Sequence, residues 1–239
     1  MKILLQCIKW DLIIFARYNI VTVALFIAIF YIVIMKVTGV GRFEDILIFL
    51  IFSDPTVLGF IFIGAIVLFE KDQMILQALV VTPQTKGSYL WSKTIALTLL
   101  ALPTSLAIAM AGESSELNYL FLITGLGLTS ILFSMIGFIA VVRVKSFNQY
   151  IFVIPIFLAP TCLPLLNFLH ITDSYLLYLI PTQGSLILLT GTYRYVSPIE
   201  TLYAVTYLIT SCFVAYKIAL HEFDKYLTGN SSTHQKARI

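Results

Sequence analysis

Residues 70–83 read Glu70-Lys71-Asp72-Gln73-Met74-Ile75-Leu76-Gln77-Ala78-Leu79-Val80-Val81-Thr82-Pro83, a charged, helix-favouring island between two long apolar runs. Glu70 and Asp72 at its front complement the positive end of a short helix. Ile75, Leu76, Leu79 and Val80 form an apolar stripe, and Pro83 after Thr82 stops it. These residues predict an amphipathic helix over 70–83 that lies flat on a membrane surface with one face free. Two readings stay open: a docking element for a partner, or a solvated loop helix.

The runs on either side decide the class. The 239 residues are 59% hydrophobic and only 11% charged, with a mean hydropathy of +0.96, far from the balance of a soluble domain. A membrane helix needs about 20 predominantly apolar residues. Six stretches qualify: 19–37, 46–69, 92–111, 117–142, 149–169 and 199–220. The expected fold is an all-α integral membrane protein with one six-span domain over 1–227 and a polar, disordered tail over 228–239.

Before the first span, Lys2, Gln6 and Lys9 fall at helical spacing while Leu5, Ile8, Leu12 and Phe15 gather on another side. An amphipathic helix over 1–18 in the membrane interface fits this pattern, the alternative being a ragged start of the first span. No small-residue cleavage site follows the first apolar core, which argues against a removed signal peptide. Cytoplasmic loops carry the excess of Lys and Arg. With the N-terminus inside, twelve basic residues (Lys2, Lys9, Arg17, Lys71, Lys86, Lys93, Arg143, Lys145, Lys217, Lys225, Lys236, Arg238) face the cytoplasm and three (Lys36, Arg42, Arg194) face out. Both termini are therefore predicted to be cytoplasmic. The net charge of +3 describes topology and gives no reason to propose a nucleic-acid partner.

Three features stand out within the spans. A carboxylate at Asp54, inside an apolar run, costs roughly 2.5–3.5 kcal/mol on insertion scales. Either Ser53 or Asp54 caps a helix that begins at Pro55, which the residues favour, or Asp54 lines a wet pathway or binds a cation. Pro155, Pro160 and Pro164 would kink the fifth span and free carbonyls, which predicts packing inside the bundle. Over 173–191, two short apolar segments flank Pro181-Thr182-Gln183-Gly184 and read as a re-entrant hairpin in the outer leaflet, tolerated only where buried or facing a water-filled cavity.

Motifs for catalysis are wanting. His170, His221 and His234 have no metal-ligand spacing, no GxxxxGK[ST] phosphate loop occurs, and Cys7, Cys162 and Cys212 are scattered, so neither a metal site nor a disulfide is expected. Gly125 and Gly127 read as helix-packing glycines. His170, near Asn167, Tyr175 and Tyr178, reads as part of an interfacial polar and aromatic belt, with substrate contact as the other option. Arg143 and Lys145 are topology determinants.

In its order of parts, the chain resembles ABC-2 type permeases. The acidic residue ending the second span, a charged pair, a Gly-Thr-Leu-Glu core, hydrophobics, Ser or Thr, then Pro becomes Glu70, Lys71-Asp72-Gln73, Met74-Ile75-Leu76-Gln77, Ala78 to Val81 and Thr82-Pro83 without a gap. The departures are Met74 for Gly, Ile75 for Thr and Gln77 for Glu. The stretch from Leu76 to Lys93 is most similar to small bacterial permeases grouped with fluoroquinolone and other drug exporters. The resemblance implies a six-helix bundle of the type V exporter kind with an N-terminal interfacial helix, a cytoplasmic coupling helix and an extracellular re-entrant hairpin.

It further implies a dimer with a second copy or paralogue in the plasma membrane of a bacterium or archaeon. A separate ABC ATPase would hold the ATP and Mg, with no cofactor in this chain. On that reading Glu70, Asp72, Gln73, Gln77, Thr82 and Pro83 dock the ATPase, the N-terminal helix is a second contact, and Asp54, Asn167 and Gln183 lie on the substrate pathway. The rivals are a lipid-modifying membrane enzyme built on Asp54, His170, Asp173 and Arg194, and a non-transporting membrane partner or immunity subunit.

Overall fold

The computed structural model describes residues 2–39, 41, 43–79, 82, 84–112, 117–172 and 174–236. Pro83 and Asp173 lie outside the described residues. All regular structure among the described residues is helical. Helix α1 (Lys2–Arg17) meets α2 (Ile20–Thr38) at an elbow where Asn19 takes a left-handed backbone, φ 59°. Helices α3 (Glu44–Val57) and α4 (Ile63–Asp72) join through a π-helical turn, Leu58–Phe62, into one rod over Glu44–Asp72. The short α5 (Ile75–Ala78) follows, then α6 (Lys86–Ala111) and α7 (Tyr119–Val142).

Helix α8 (Phe147–Cys162) breaks at Leu163 before α9 (Pro164–Phe168). A 3-10 turn (Tyr175–Leu179), α10 (Pro181–Thr190) and α11 (Pro198–Lys236) complete the chain.

Five of these rods are long and apolar enough to cross a membrane: Ile20–Thr38, Glu44–Asp72, Lys86–Ala111, Tyr119–Val142 and Pro198–Thr228. The protein is a multi-pass membrane protein. The fifth expected span is shorter, because α8 carries Pro155 and Pro160 and stops ahead of Pro164. It was expected inside the bundle, yet Tyr150 is its one fully buried residue, and Phe152 and Ile156 face outward. One carbonyl freed by Pro164 is satisfied locally: the Leu163 amide donates to the Pro160 carbonyl at 3.4 Å.

Helix α7 is the hub and packs on α3, α4, α6, α8, α10 and α11. Small residues make that closeness possible. A Cβ on Gly137 would lie 2.7 Å from the Phe60 carbonyl oxygen, and one on Gly59 3.1 Å from that of Ser130. Of the two glycines expected at packing faces, Gly125 lies against Leu188 and Leu189 of α10, whereas Gly127 has open space.

Two expectations fail at Pro55 and at the tail. Pro55 lies inside a continuous helix, so neither Ser53 nor Asp54 caps one there. A π-helical turn follows at Leu58–Phe62, where the Phe60 carbonyl accepts from the Tyr150 hydroxyl at 2.7 Å. The chain beyond Thr228 continues α11 as helix to Lys236, where a disordered tail was expected. Between Pro198 and Lys236 no proline interrupts the run, and helix propagates once nucleated.

Candidate functional site

The island at 70–83 is divided between two helices. No helix begins at Glu70: α4 runs through it to Asp72, and the break falls at Met74, φ 61° in the left-handed region. Glu70 thus sits at a helix C-terminus, where a carboxylate is unfavourable, and its environment offsets this. It is 8% exposed and turned inward. Its Oε1 accepts from the Lys93 ammonium at 2.5 Å, and its Oε2 accepts from the Tyr89 hydroxyl. Lys93, 2% exposed and two turns into α6, also donates to Asp11 of α1 at 2.9 Å. One ammonium thereby joins three elements that are 82 and 23 residues apart in sequence.

The next residue binds in the other direction. Lys71 Nζ donates to the carbonyls of Val141, Val142 and Val144 at 2.9, 3.0 and 2.9 Å, satisfying the open C-terminus of α7. It also lies 4.5 Å from the centre of the Tyr226 ring on α11. Below the cluster, Tyr89, Phe138 and Phe223 stack α6, α7 and α11 together, with Phe223 5.3 Å from each of the other two rings. Adjacent residues at the end of one rod therefore join α1, α6, α7 and α11.

From this anchor the segment after Asp72 projects. Asp72, Gln73, Met74, Ile75, Gln77, Ala78 and Thr82 are exposed, while Leu76 and Leu79 are buried beneath them. Val80, expected in the apolar stripe, lies outside the described residues, and Ile75 faces out. Met74 stands where the resembled pattern has Gly, and the left-handed backbone there is the conformation that Gly supplies without strain. Thr85 caps α6, its hydroxyl accepting from the Ser88 amide at 3.1 Å. A cleft of about 630 Å³ lies between this segment and α11, with Leu79, Tyr216 and Leu220 along it and the Lys86–Asp224 ion pair at its edge.

The expected pathway residues lie elsewhere. Asp54, 1% exposed, accepts on Oδ2 from the hydroxyls of Thr104 and Ser105 of α6 at 2.6 and 2.7 Å, which offsets part of its burial cost. Its Oδ1 has no hydrogen-bond partner, nor does Oε1 of the buried Gln183 on α10. Asn167 is half-buried on α9. Helix α10 packs on both α3 and α9, so the elements carrying these three residues meet, though no hydrogen bond among the described residues links them.

At the opposite end from the Glu70 anchor, Arg194 is held by Glu44 at 2.6 Å and Asp45 at 2.9 Å. Its hydrogen bond to the Glu44 carboxylate keeps the guanidinium above the ordinary arginine range. His170 is exposed in a left-handed backbone, φ 56°. Among the described residues, no three His, Cys, Asp or Glu side chains are grouped to hold a metal ion.

Nothing in a linear reading joins Asp11 to Lys93. The signal that was available is the presence of single charges inside or beside apolar runs, which require partners once buried.

A family profile described as the fluoroquinolones export permease protein family matches residues 2–231. Two curated relatives, each called a fluoroquinolones export permease protein, come from Mycobacterium tuberculosis strains CDC 1551 / Oshkosh and ATCC 25618 / H37Rv. Each is 31% identical over 189 residues, 77% of this chain and 78% of the relative.

Proposed function

The chain belongs to the fluoroquinolones export permease protein family, and from that premise we propose that it is the membrane-spanning subunit of an ATP-driven drug exporter. It moves an amphipathic, fluoroquinolone-like molecule outward, works as a pair of permeases, and takes its energy from a separate ATPase that holds ATP and Mg. The observation that carries this reading is the set of exposed residues Asp72, Gln73, Gln77 and Thr82 that follows the buried Glu70–Lys93–Asp11 anchor. A face on which Asp72, Gln73, Gln77 and Thr82 are exposed, tied at its root to four helices, can take up a push from a partner and pass it into the bundle. Glu70 acts from inside, as the anchor of that face. Counting along the sequence, a cytoplasmic placement of this face and of both termini puts twelve of fifteen basic residues inside, which supports that placement. The turn at Tyr175–Leu179 and α10 together would form the re-entrant hairpin facing outside, with Gln183 and Asp54 toward the pathway.

The test is co-purification in detergent with the ATPase encoded nearest to this chain. A variant carrying Asp72→Ala, Gln73→Ala, Gln77→Ala and Thr82→Ala should insert normally and lose the ATPase. Retention of the ATPase at native stoichiometry by that variant would refute the docking role. The lipid-enzyme alternative gains nothing from the geometry, since Asp54 and Arg194 are each engaged with other partners.

A further inference from the structure

Two left-handed elbows, Asn19 between α1 and α2 and Met74 between α4 and α5, flank one apolar cavity of about 350 Å³. Tyr18 and Ile20 line it from one elbow, and Gln73 and Ile75 from the other, with Phe62 and Phe69 on the wall between. We propose that this cavity is a binding site for a compact, planar aromatic molecule with one polar end, and that its occupancy sets the angle between α1 and the docking segment.

Three observations point to that occupant. The volume lies at the lower end of the roughly 300–1,000 Å³ typical of small-molecule sites and is too small for the paired chains of a phospholipid. The lining is mostly apolar and carries three rings, those of Tyr18 and Phe69 with centroids 4.7 Å apart, which suits an aromatic body. The polar groups gather at one end. There the Gln73 amide donates to the Tyr18 hydroxyl over a long 3.4 Å, leaving the Gln73 carbonyl and the tyrosine proton free to serve a ligand.

The elbows give occupancy a consequence. Backbone in the left-handed region costs about 1–2 kcal/mol at a residue such as Met74, whereas asparagine adopts it readily, so the Met74 joint is held by its surroundings and shifts when they change. The Gln73–Tyr18 bond and the Tyr18–Phe69 contact tie the elbows together across the cavity. A ring system inserted there must part them or brace them. Glu70 also lines the cavity, so the molecule would touch the root of the docking segment. This extends the exporter reading, but the binding measurement needs no ATPase and stands or falls apart from it.

The probe is 1-aminoanthracene, a fluorescent planar amphiphile, titrated into the full chain in phosphatidylcholine nanodiscs against empty nanodiscs. Saturable binding is expected. Ala65→Phe, which fills the cavity from α4, and Val23→Phe, which fills it from α2, should each weaken it about tenfold or more, a loss of about 1.4 kcal/mol. Leu120→Phe on the exposed face of α7 should leave it unchanged. Spin labels on Trp10→Cys and Gln77→Cys, in a background lacking Cys7, Cys162 and Cys212, should change separation on adding the probe, and not in the Ala65→Phe background. Wild-type signal equal to empty nanodiscs overturns the proposal, as does undiminished binding in both filled variants once they are shown to be folded. A tightly held phospholipid that co-purifies with the wild type and is lost in Ala65→Phe overturns it in favour of a lipid. Binding without a change in label separation overturns the elbow mechanism.

Discussion

At Lys93, one ammonium answers two carboxylates in a site nearly closed to solvent. Breaking such a cluster from one side is costly because the charges left behind stay buried, about 3–5 kcal/mol, whereas neutralising it as a whole costs little. Lys93→Met is therefore expected to lower the thermal stability of the detergent-solubilised protein sharply. The triple variant Lys93→Met, Asp11→Asn, Glu70→Gln should recover most of the loss. A triple variant no more stable than the single one would refute the account. The exposed Arg143–Glu222 pair, with its hydrogen bonds of 3.1 and 2.7 Å, carries far less weight, since surface pairs contribute about 0–1 kcal/mol. At this scale the sequence was only partly legible. Glu70 was recognisable as special from its place beside a span, but its inward orientation depends on Lys93 and Tyr89, which lie 23 and 19 residues further on.

Among the elements, the contact of the Glu44–Asp72 rod with α7 depends on glycines at facing positions. Gly137→Val would press a side chain into Phe60 backbone atoms at under 3 Å and is expected to part the helices and abolish folded yield. Gly127→Ala meets nothing within 4 Å and should be neutral or stabilising by up to about 1 kcal/mol, since alanine favours helix over glycine by that amount. Melting curves of the two variants in detergent check both, and equal behaviour would show that the contact does not control stability. Composition alone marks both Gly125 and Gly127 as packing residues, and only the rotation of α7 against α10 separates them. The same limit applies at Glu70, where no glycine or proline marks the end of α4, so the linear pattern admits a helix start where the chain continues an old one.

The molecule as a whole is a bundle around α7, with charged ends and an apolar girth. If twelve basic residues mark the cytoplasmic side, a cysteine placed at Gln77 should react with a membrane-impermeant maleimide only in inside-out vesicles. One placed at His170 should react only in intact cells. The reverse labelling pattern would invert the topology and remove the docking segment from reach of a cytoplasmic ATPase. Helix α11, 39 residues and about 58 Å at 1.5 Å per residue, is longer than a bilayer core of about 30 Å. Its far part lies beside the docking segment, where the Lys86–Asp224 and Arg143–Glu222 pairs hold it.

What the linear chain determined by itself is the membrane class, the order of its long apolar helices and a helix ahead of the first span. Each of these follows from hydropathy and charge summed over neighbours in sequence, and a bilayer selects for that sum directly. What only the tertiary structure decided is which side of Glu70 faces in, that Pro55 is absorbed within a helix, that α8 lies at the periphery, and that Asp11, Glu70 and Lys93 share one site. Those outcomes turn on helix rotation and on contacts between residues far apart in the chain. Such contacts are set by which buried charges and glycines can meet, and that is known only once the helices are packed.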